Sequence, residues 1–458
     1  YKSPWPIDLA KSELEIETYG QAPSSITLSR GQTGWLRIAG SEVGALELAE
    51  PKMTGGALPA KLFIGQRRLD RSSPLSPALA PLARTLVSAE LASEDDPIGK
   101  QLVVEVSVPN DAAPGFYLGA VNTPERNIPF EVIVTSVDLP YAPSPIGVYL
   151  ADPPHHHWLE TDPRTDRACR YNTLASMGLT GLAPPLATPT PDKLEEFRQD
   201  VSMLGEHFGG QSNVSYQELQ RLFEILGPEG ALQALPAAVE AAPDLIWSAA
   251  DEPSNPGLHG RSLADHVADI RTAAPAIRLA GHLNSQEDRQ LLDLFDVALL
   301  NPGFGMDLVD FDELAQRDVD GWIYNTGPER LAAGFYGWRV GSKGYLMWHA
   351  MMPTADPFDP TDGREGDAIL LPPVVEACAE TPAIDERLIR IAEGAADRRW
   401  LAWLDEAAAV DPGAARFRST LLDEIPSNWD EATQNLDGNS LDELRAQITD
   451  FASKAKGF

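Results

Sequence analysis

The sequence predicts an α/β protein with an all-β front: an N-terminal β-sandwich, then a (β/α)8 TIM barrel with C-terminal helices. Three observations predict it. Short β-branched runs separated by turn residues fill the chain up to about residue 140. Apolar runs then alternate with amphipathic helical stretches as far as about residue 404. One of those runs, Leu245 to Ala250, stops abruptly at Asp251-Glu252-Pro253, as a core strand does where it delivers side chains to a barrel rim.

The front part has the rhythm of a sandwich. Gly34-Trp35-Leu36-Arg37-Ile38, Leu102 to Val108 and Phe130 to Val134 are strand-like, and Asn110 to Gly115 is a turn signal ahead of Phe116-Tyr117-Leu118. Regular short strands with turns between them argue for two packed sheets. Residues 1–143 are expected to form this domain, in a supporting or carbohydrate-contacting role.

A proline-rich linker, Asp138 to Pro145, hands over to the barrel, expected over 144–404. Its strand candidates are Ile146 to Ala151, Leu179 to Ala183, Leu245 to Ala250, Ile277 to Gly281, Val297 to Leu300, Gly321 to Tyr324 and Tyr345 to Trp348. Helical patterns at Lys193 to Phe208, Tyr216 to Leu226, Ser262 to Ala274 and Ser285 to Phe295 lie between them. An eighth strand, needed near Gly209 to Ser215, has a poor signal; granting it completes the number that closes a (β/α)8 barrel. Asp385 to Leu404 reads as the last barrel helix. Residues 405–458 read as an exposed, chemically inert helical extension, with Asp437-Gly438-Asn439-Ser440 as turn and N-cap.

Composition excludes several partners. The 458 residues carry 36 basic and 68 acidic side chains, a net charge of −32 that repels phosphate backbones, so no nucleic acid is expected. No apolar run is long enough to span a bilayer. Cys169 and Cys378 lack metal-ligand spacing and are expected as two buried free thiols. The chain opens at Tyr1 without methionine or a signal peptide, so a processed, secreted, periplasmic or cell-surface protein is expected, with the cytoplasm as the alternative. Oligomeric state is not written in the sequence.

The residues that follow the strands carry the chemistry. They are Asp152, His155-His156-His157 and Trp158 after the first; Asp251 and Glu252; His282 and Asn284; Asn301; Tyr324 and Asn325; Trp348 and His349. Aromatics, amides and two acids on one rim suit a sugar, which presents apolar ring faces and hydroxyl edges. Each has a plainer alternative: the aromatics can fill core, Asn301 can cap a turn, and an acid pair can be surface. The histidine run has no carboxylate or cysteine at ligand spacing, so no metal is expected. Walker, GxSxG and HExxH motifs are missing, and no cofactor is expected.

Four stretches together resemble glycoside hydrolase family 123 and the wider group called domain of unknown function 4091. They are Val104 to Pro140; the Asp251-Glu252-Pro253 triplet after a strand; Gly334 to Phe358 (GFYGWRVGSKGYLMWHAMMPTADPF); and Thr381 to Leu404 (TPAIDERLIRIAEGAADRRWLAWL). The last departs from the family at Ala396-Asp397-Arg398, where Glu-Asp-Tyr is usual. The resemblance implies a β-N-acetylgalactosaminidase acting by a retaining, substrate-assisted route. Retaining enzymes of the two-carboxylate kind need carboxyls about 5 Å apart across the scissile bond. Neighbouring residues do not easily flank a bond in that way, but they can serve a sugar whose own 2-acetamido oxygen attacks. In that scheme Glu252 is acid and then base, and Asp251 orients the acetamido N–H. Tyr324 is the candidate for its carbonyl and Trp348 for its methyl, with His282, Asn301, His349 and Trp158 as further sugar contacts. Arg330 or Arg339 is a candidate basic patch for sulfated glycans. Two alternatives are a barrel glycosidase of other specificity and a non-catalytic glycan-binding protein on the same scaffold.

Overall fold

Side-chain alternation builds the first layer. In Asn127–Val134 every second residue, Phe130, Val132 and Val134, is buried, the period of a half-buried strand. The computed structural model describes residues 25–39, 46–54, 56–71, 79–88, 101–124, 126–141, 143–151, 163–209, 213–253, 262–352, 368–371 and 384–456. Ser25–Leu28, Asn127–Val134, Gly115–Asn122, Glu47–Met53 and Gly56–Ala57 form one sheet, in that order. Thr33–Ala39, Gln101–Ser107, Ala60–Arg71, Leu79–Ser88 and Ile384–Asp385 form the other. Leu36, Val104 and Val106 meet Tyr117, Val132 and Val134 between them, which is the expected sandwich. Its last strand is a surprise: Ile384–Asp385 arrives from beyond the barrel and pairs with Leu86 and Thr85. Two residues carry no periodic signal, so only the pairing reveals them.

The barrel has all eight expected strands: β1 (Ile146–Tyr149), β2 (Gly181–Ala183), β3 (Val214–Ser215), β4 (Ile246–Asp251), β5 (Arg278–Leu283), β6 (Val297–Leu300), β7 (Asp320–Tyr324) and β8 (Gly344–Met347). Neighbours pair in parallel, β8 returns to β1, and a parallel bridge from Leu182 to Asn213 closes the ring between β2 and β3. At β1 and β2 the backbones come so close that a Cβ on Gly147 would lie 1.8 Å from the Gly181 carbonyl oxygen; only glycine fits there. Outward residues such as Trp247 and Leu279 pack under the helices. Ile246, Ala280, Val297, Leu299 and Trp322 fill the interior.

Several helices start at a side-chain cap. Ser262 accepts the Asp265 N–H ahead of Leu263–Ala273, and Asp385 accepts the Arg387 N–H ahead of Glu386–Ala408. The helix expected from Tyr216 begins at Glu218 and runs to Ala241, broken at Gly227 (φ 69°). The stretch expected as an α-helix at Ser285 to Phe295 is instead a 3-10 helix over Gln286–Leu294. There the Asp288 carboxylate accepts the N–H groups of Asn284 and Ser285 and tightens the first turn.

Two further expectations are corrected. The C-terminal helices are not merely exposed: Leu421, Ile425, Trp429, Leu444 and Ile448 are buried in the same apolar cluster as the barrel's outer layer. Their amphipathic stripe is readable, but the surface it meets is assembled from distant sequence. Cys169 is disulfide-bonded rather than a free thiol; Cys378 lies outside the described residues. Two cysteines give no spacing pattern, so a disulfide at Cys169 is a tertiary fact. Among the described residues no helix is long and apolar enough to cross a membrane.

Candidate active site

β4 enters the barrel in one phase and leaves it in the other. Ile246 and Ser248 pair with Arg278 and Ala280, and Ile246 and Ala280 line the interior. Trp247 faces outward, its ring 5.7 Å from that of Phe197. Strict alternation from Ser248 would turn Glu252 inward and Asp251 out. The register slips between Ser248 and Ala250, so that Ala250 pairs with Gly281 and Asp251 with His282. Such a bulge reverses the phase of everything after it. Asp251 therefore shares the interior side of the sheet with His282.

What Asp251 meets there confirms the phase. The Tyr216 hydroxyl, one residue past β3, donates to Asp251 Oδ2 at 2.6 Å. Glu252 follows in a left-handed conformation (φ 46°), and its N–H donates to the His282 carbonyl at 2.9 Å. Asn325, just past β7, has the same φ of 46° and donates its N–H to the Leu346 carbonyl at 2.9 Å. Non-glycine residues seldom adopt this conformation, and such residues concentrate at functional sites.

Below the acids lies an aromatic floor. Tyr149, the last residue of β1, has ring centroids of Tyr216 and Trp348 at 5.2 Å and that of Tyr324 at 5.9 Å. Tyr216 meets Trp348 edge-on at 5.1 Å. Edge-to-face packing of this kind fixes ring orientation. Burial pushes the Tyr324 phenol well up, and the charges of Asp251 and Glu252 push it further. Tyr216 is raised too, by burial first and then by its hydrogen bond to Asp251. Both hydroxyls thus stay protonated as donors, and both acids act on the same two phenols. His349 is pushed down to about 4 by burial and rests against the Trp348 ring as a neutral side chain, with centroids 4.8 Å apart.

The rim residues expected from sequence fare differently. Asp251, Tyr324, Trp348, His349 and His282 come together, and the charge of Glu252 helps to raise both phenols. His282 is fully buried, with Tyr149 and Ser248 on its two ring nitrogens, so it sits beneath the surface a sugar would touch. Asn301 Oδ1 accepts the Gly303 N–H at 2.9 Å, the turn-capping alternative. Trp158, with Asp152 and the histidine run, lies outside the described residues. Tyr149 and Tyr216 were not expected. Their signal was position alone: each stands at or just past the end of a strand run.

Arg330 and Arg339 form no basic patch at this rim. Arg330 is buried and bridges Asp397 (2.8 Å) and Asp442 (2.5 Å), while Arg339 Nε donates to the Ile425 carbonyl. Arg330 also borders a cavity of about 590 Å³ between Thr33–Ala39 and the helices Glu386–Ala408 and Gly438–Lys456. That cavity's charges pair across it, Arg37 with Glu393 and Arg445 with Asp397. It lies between the sandwich and those two helices, away from the acid pair.

No protein-family model and no curated protein sequence matches the chain. Among solved structures, the chain is similar to a family 123 glycoside hydrolase from Clostridium perfringens, described for glycolipid glycan hydrolysis. The likeness covers 94% of this chain and 94% of that one, with a TM-score of 0.65 and 12% identity. At that identity it shows a shared fold, sandwich and barrel together. A family 2 β-galacturonidase from Eisenbergiella tayi overlaps 82% of this chain and 72% of its own, at 9% identity and a TM-score of 0.35.

Proposed function

We propose that the chain is a glycoside hydrolase acting at β-linked N-acetylhexosamine, most simply N-acetylgalactosamine, by a retaining, substrate-assisted mechanism. The observation that carries this reading is the bulge that turns Asp251 over an aromatic floor, with Glu252 beside it. The shared fold with a family 123 glycoside hydrolase supports it, and the glycan is the partner it implies.

In the first step Glu252 gives its proton to the glycosidic oxygen as the bond to the anomeric carbon breaks. The 2-acetamido oxygen forms the new bond to that carbon, closing an oxazolinium-like ring. Asp251 has one oxygen on Tyr216, and its other oxygen accepts the acetamido N–H, balancing the ring's positive charge. The Tyr324 hydroxyl, kept protonated by burial, donates to the acetamido oxygen's lone pair before attack and so orients it. Trp348 walls the methyl. In the second step Glu252 takes a proton from water, the water oxygen bonds to the anomeric carbon, and the ring opens. Two inversions give retention. The disulfide at Cys169 fits an oxidising, extracytoplasmic setting.

The test is Glu252→Gln on an aryl β-N-acetylgalactosaminide, where kcat is expected to fall by about 10²–10⁴. The parallel aryl glycoside with a plain 2-hydroxyl should turn over at least about 100-fold more slowly than the acetamido sugar, the scale of one lost transition-state contact. Comparable turnover of the two sugars removes acetamido participation, and a fully active Glu252→Gln removes the acid.

A further inference from the structure

We propose that His282 is a positioning residue: its Nδ1–H holds the bulge in β4 that aims Asp251 inward, and Tyr149 fixes the imidazole for that task. The inference deepens the function proposed above, and its catalytic consequence rests on that reading.

The slip in β4 leaves Ala249 out of the pairing with β5, between the Ser248–Ala280 and Ala250–Gly281 pairs. The His282 ring lies against both sides of the slip: Nδ1 is 3.3 Å from the Ala250 carbonyl oxygen and 3.2 Å from Ser248 Oγ. A carbonyl only accepts, so Nδ1 carries the proton. The ring is fully buried, and burial pushes its pKa down against the pull of Asp251, which keeps it neutral. A neutral imidazole protonated at Nδ1 has its lone pair on Nε2, and the atom facing Nε2 is the Tyr149 hydroxyl. Burial pushes that phenol well up, and the neighbouring Tyr324, Tyr216 and Asp251 push it further, so it donates. The chain thus runs from the Tyr149 O–H to Nε2, and from Nδ1–H to the Ala250 carbonyl.

The consequence is geometric. Asp251 is the next residue after the carbonyl that His282 holds, and the phase reversal is what brings its carboxylate to Tyr216. Ala249 and Ala250 are small enough for either face, so their side chains do not pin the slip. The imidazole is the group that does. Tyr149 spends its hydroxyl on His282 and leaves its ring to the floor, so one residue orders both the wall of the pocket and the strand beneath the acids.

Two measurements test this. Long-range ¹H–¹⁵N spectra of protein labelled at its eight histidines report each tautomer, with His282→Asn supplying the assignment. The Nδ1–H tautomer is expected for His282; the Nε2–H tautomer or an imidazolium at neutral pH overturns the proposal, whatever the protein hydrolyses. The second is a pair of variants assayed on the aryl N-acetylhexosaminide. His282→Asn returns an amide N–H near the Nδ1 position, whereas His282→Gln returns one near Nε2. The expected kcat loss is about 100-fold for Gln, the scale of a misplaced catalytic group, and no more than about fivefold for Asn, with KM little changed in both. Equal losses, or the larger Gln filling the space and outperforming Asn, mean the ring acts only as packing. A wild-type chain that hydrolyses no N-acetylhexosaminide removes the functional reading, and the tautomer spectrum then decides the role of His282 alone.

Discussion

Tyr216→Phe isolates the contact that ties the floor to the acid pair. The substitution deletes one hydroxyl that donates to Asp251 Oδ2 at 2.6 Å and keeps a ring packed against Tyr149, Trp348 and His282 at 5.2, 5.1 and 5.5 Å. A hydrogen bond to a charged group is worth about 1.5–3 kcal/mol. Asp251 is exposed, and water competes for its oxygens, so the lower end applies. A loss of about 1.4 kcal/mol in transition-state stabilisation is about tenfold in rate. The contact serves the orientation of Asp251, which matters when charge develops on the sugar, so the loss belongs in kcat, with KM held within about twofold. Steady-state hydrolysis of an aryl β-N-acetylgalactosaminide, alongside thermal unfolding, measures both. Unchanged kcat refutes the idea that Asp251 needs this restraint. A tenfold loss accompanied by a clear drop in melting temperature refutes it in another way, because the hydroxyl would then be supporting the fold.

Two stability predictions accompany it. His349 is held neutral in the folded protein, pushed down from 6.5 to about 4 by burial. Its contribution is complete above pH 6.5 and is lost as pH falls toward 4, because the unfolded chain takes up the proton first; the loss approaches about 3 kcal/mol. Urea unfolding from pH 7.5 to 4 should show that decline and show it flattened in His349→Gln, and parallel slopes refute the assignment. Arg330→Met leaves Asp397 with Arg445 alone inside the junction of helices and sandwich. A loss of about 1.5–3 kcal/mol is expected from removing the charged hydrogen bond to Asp397, and a loss under about 1 kcal/mol by chemical denaturation refutes the view that this network holds the C-terminal helices in place.

By itself the sequence determined the strand runs, their number and the pair of acids at the end of one of them. These follow from local rules: apolar runs of strand length, turn residues between them, and a proline that stops a strand all act over a few residues. Even the weak third strand was required by the count before it was seen. Only the tertiary structure decided which acid faces the barrel. Ile246-Trp247-Ser248 writes an alternation, but Ala249-Ala250 erases it, since alanine fits either face. The phase after that doublet comes from pairing with β5 and from the His282 ring, both contributed from some thirty residues downstream. The same limit hid Tyr149 and Tyr216, the Cys169 disulfide, the strand at Ile384–Asp385 and the burial of the C-terminal helices. Each depends on a partner that folding brings from far along the chain, and no local pattern encodes where that partner will be.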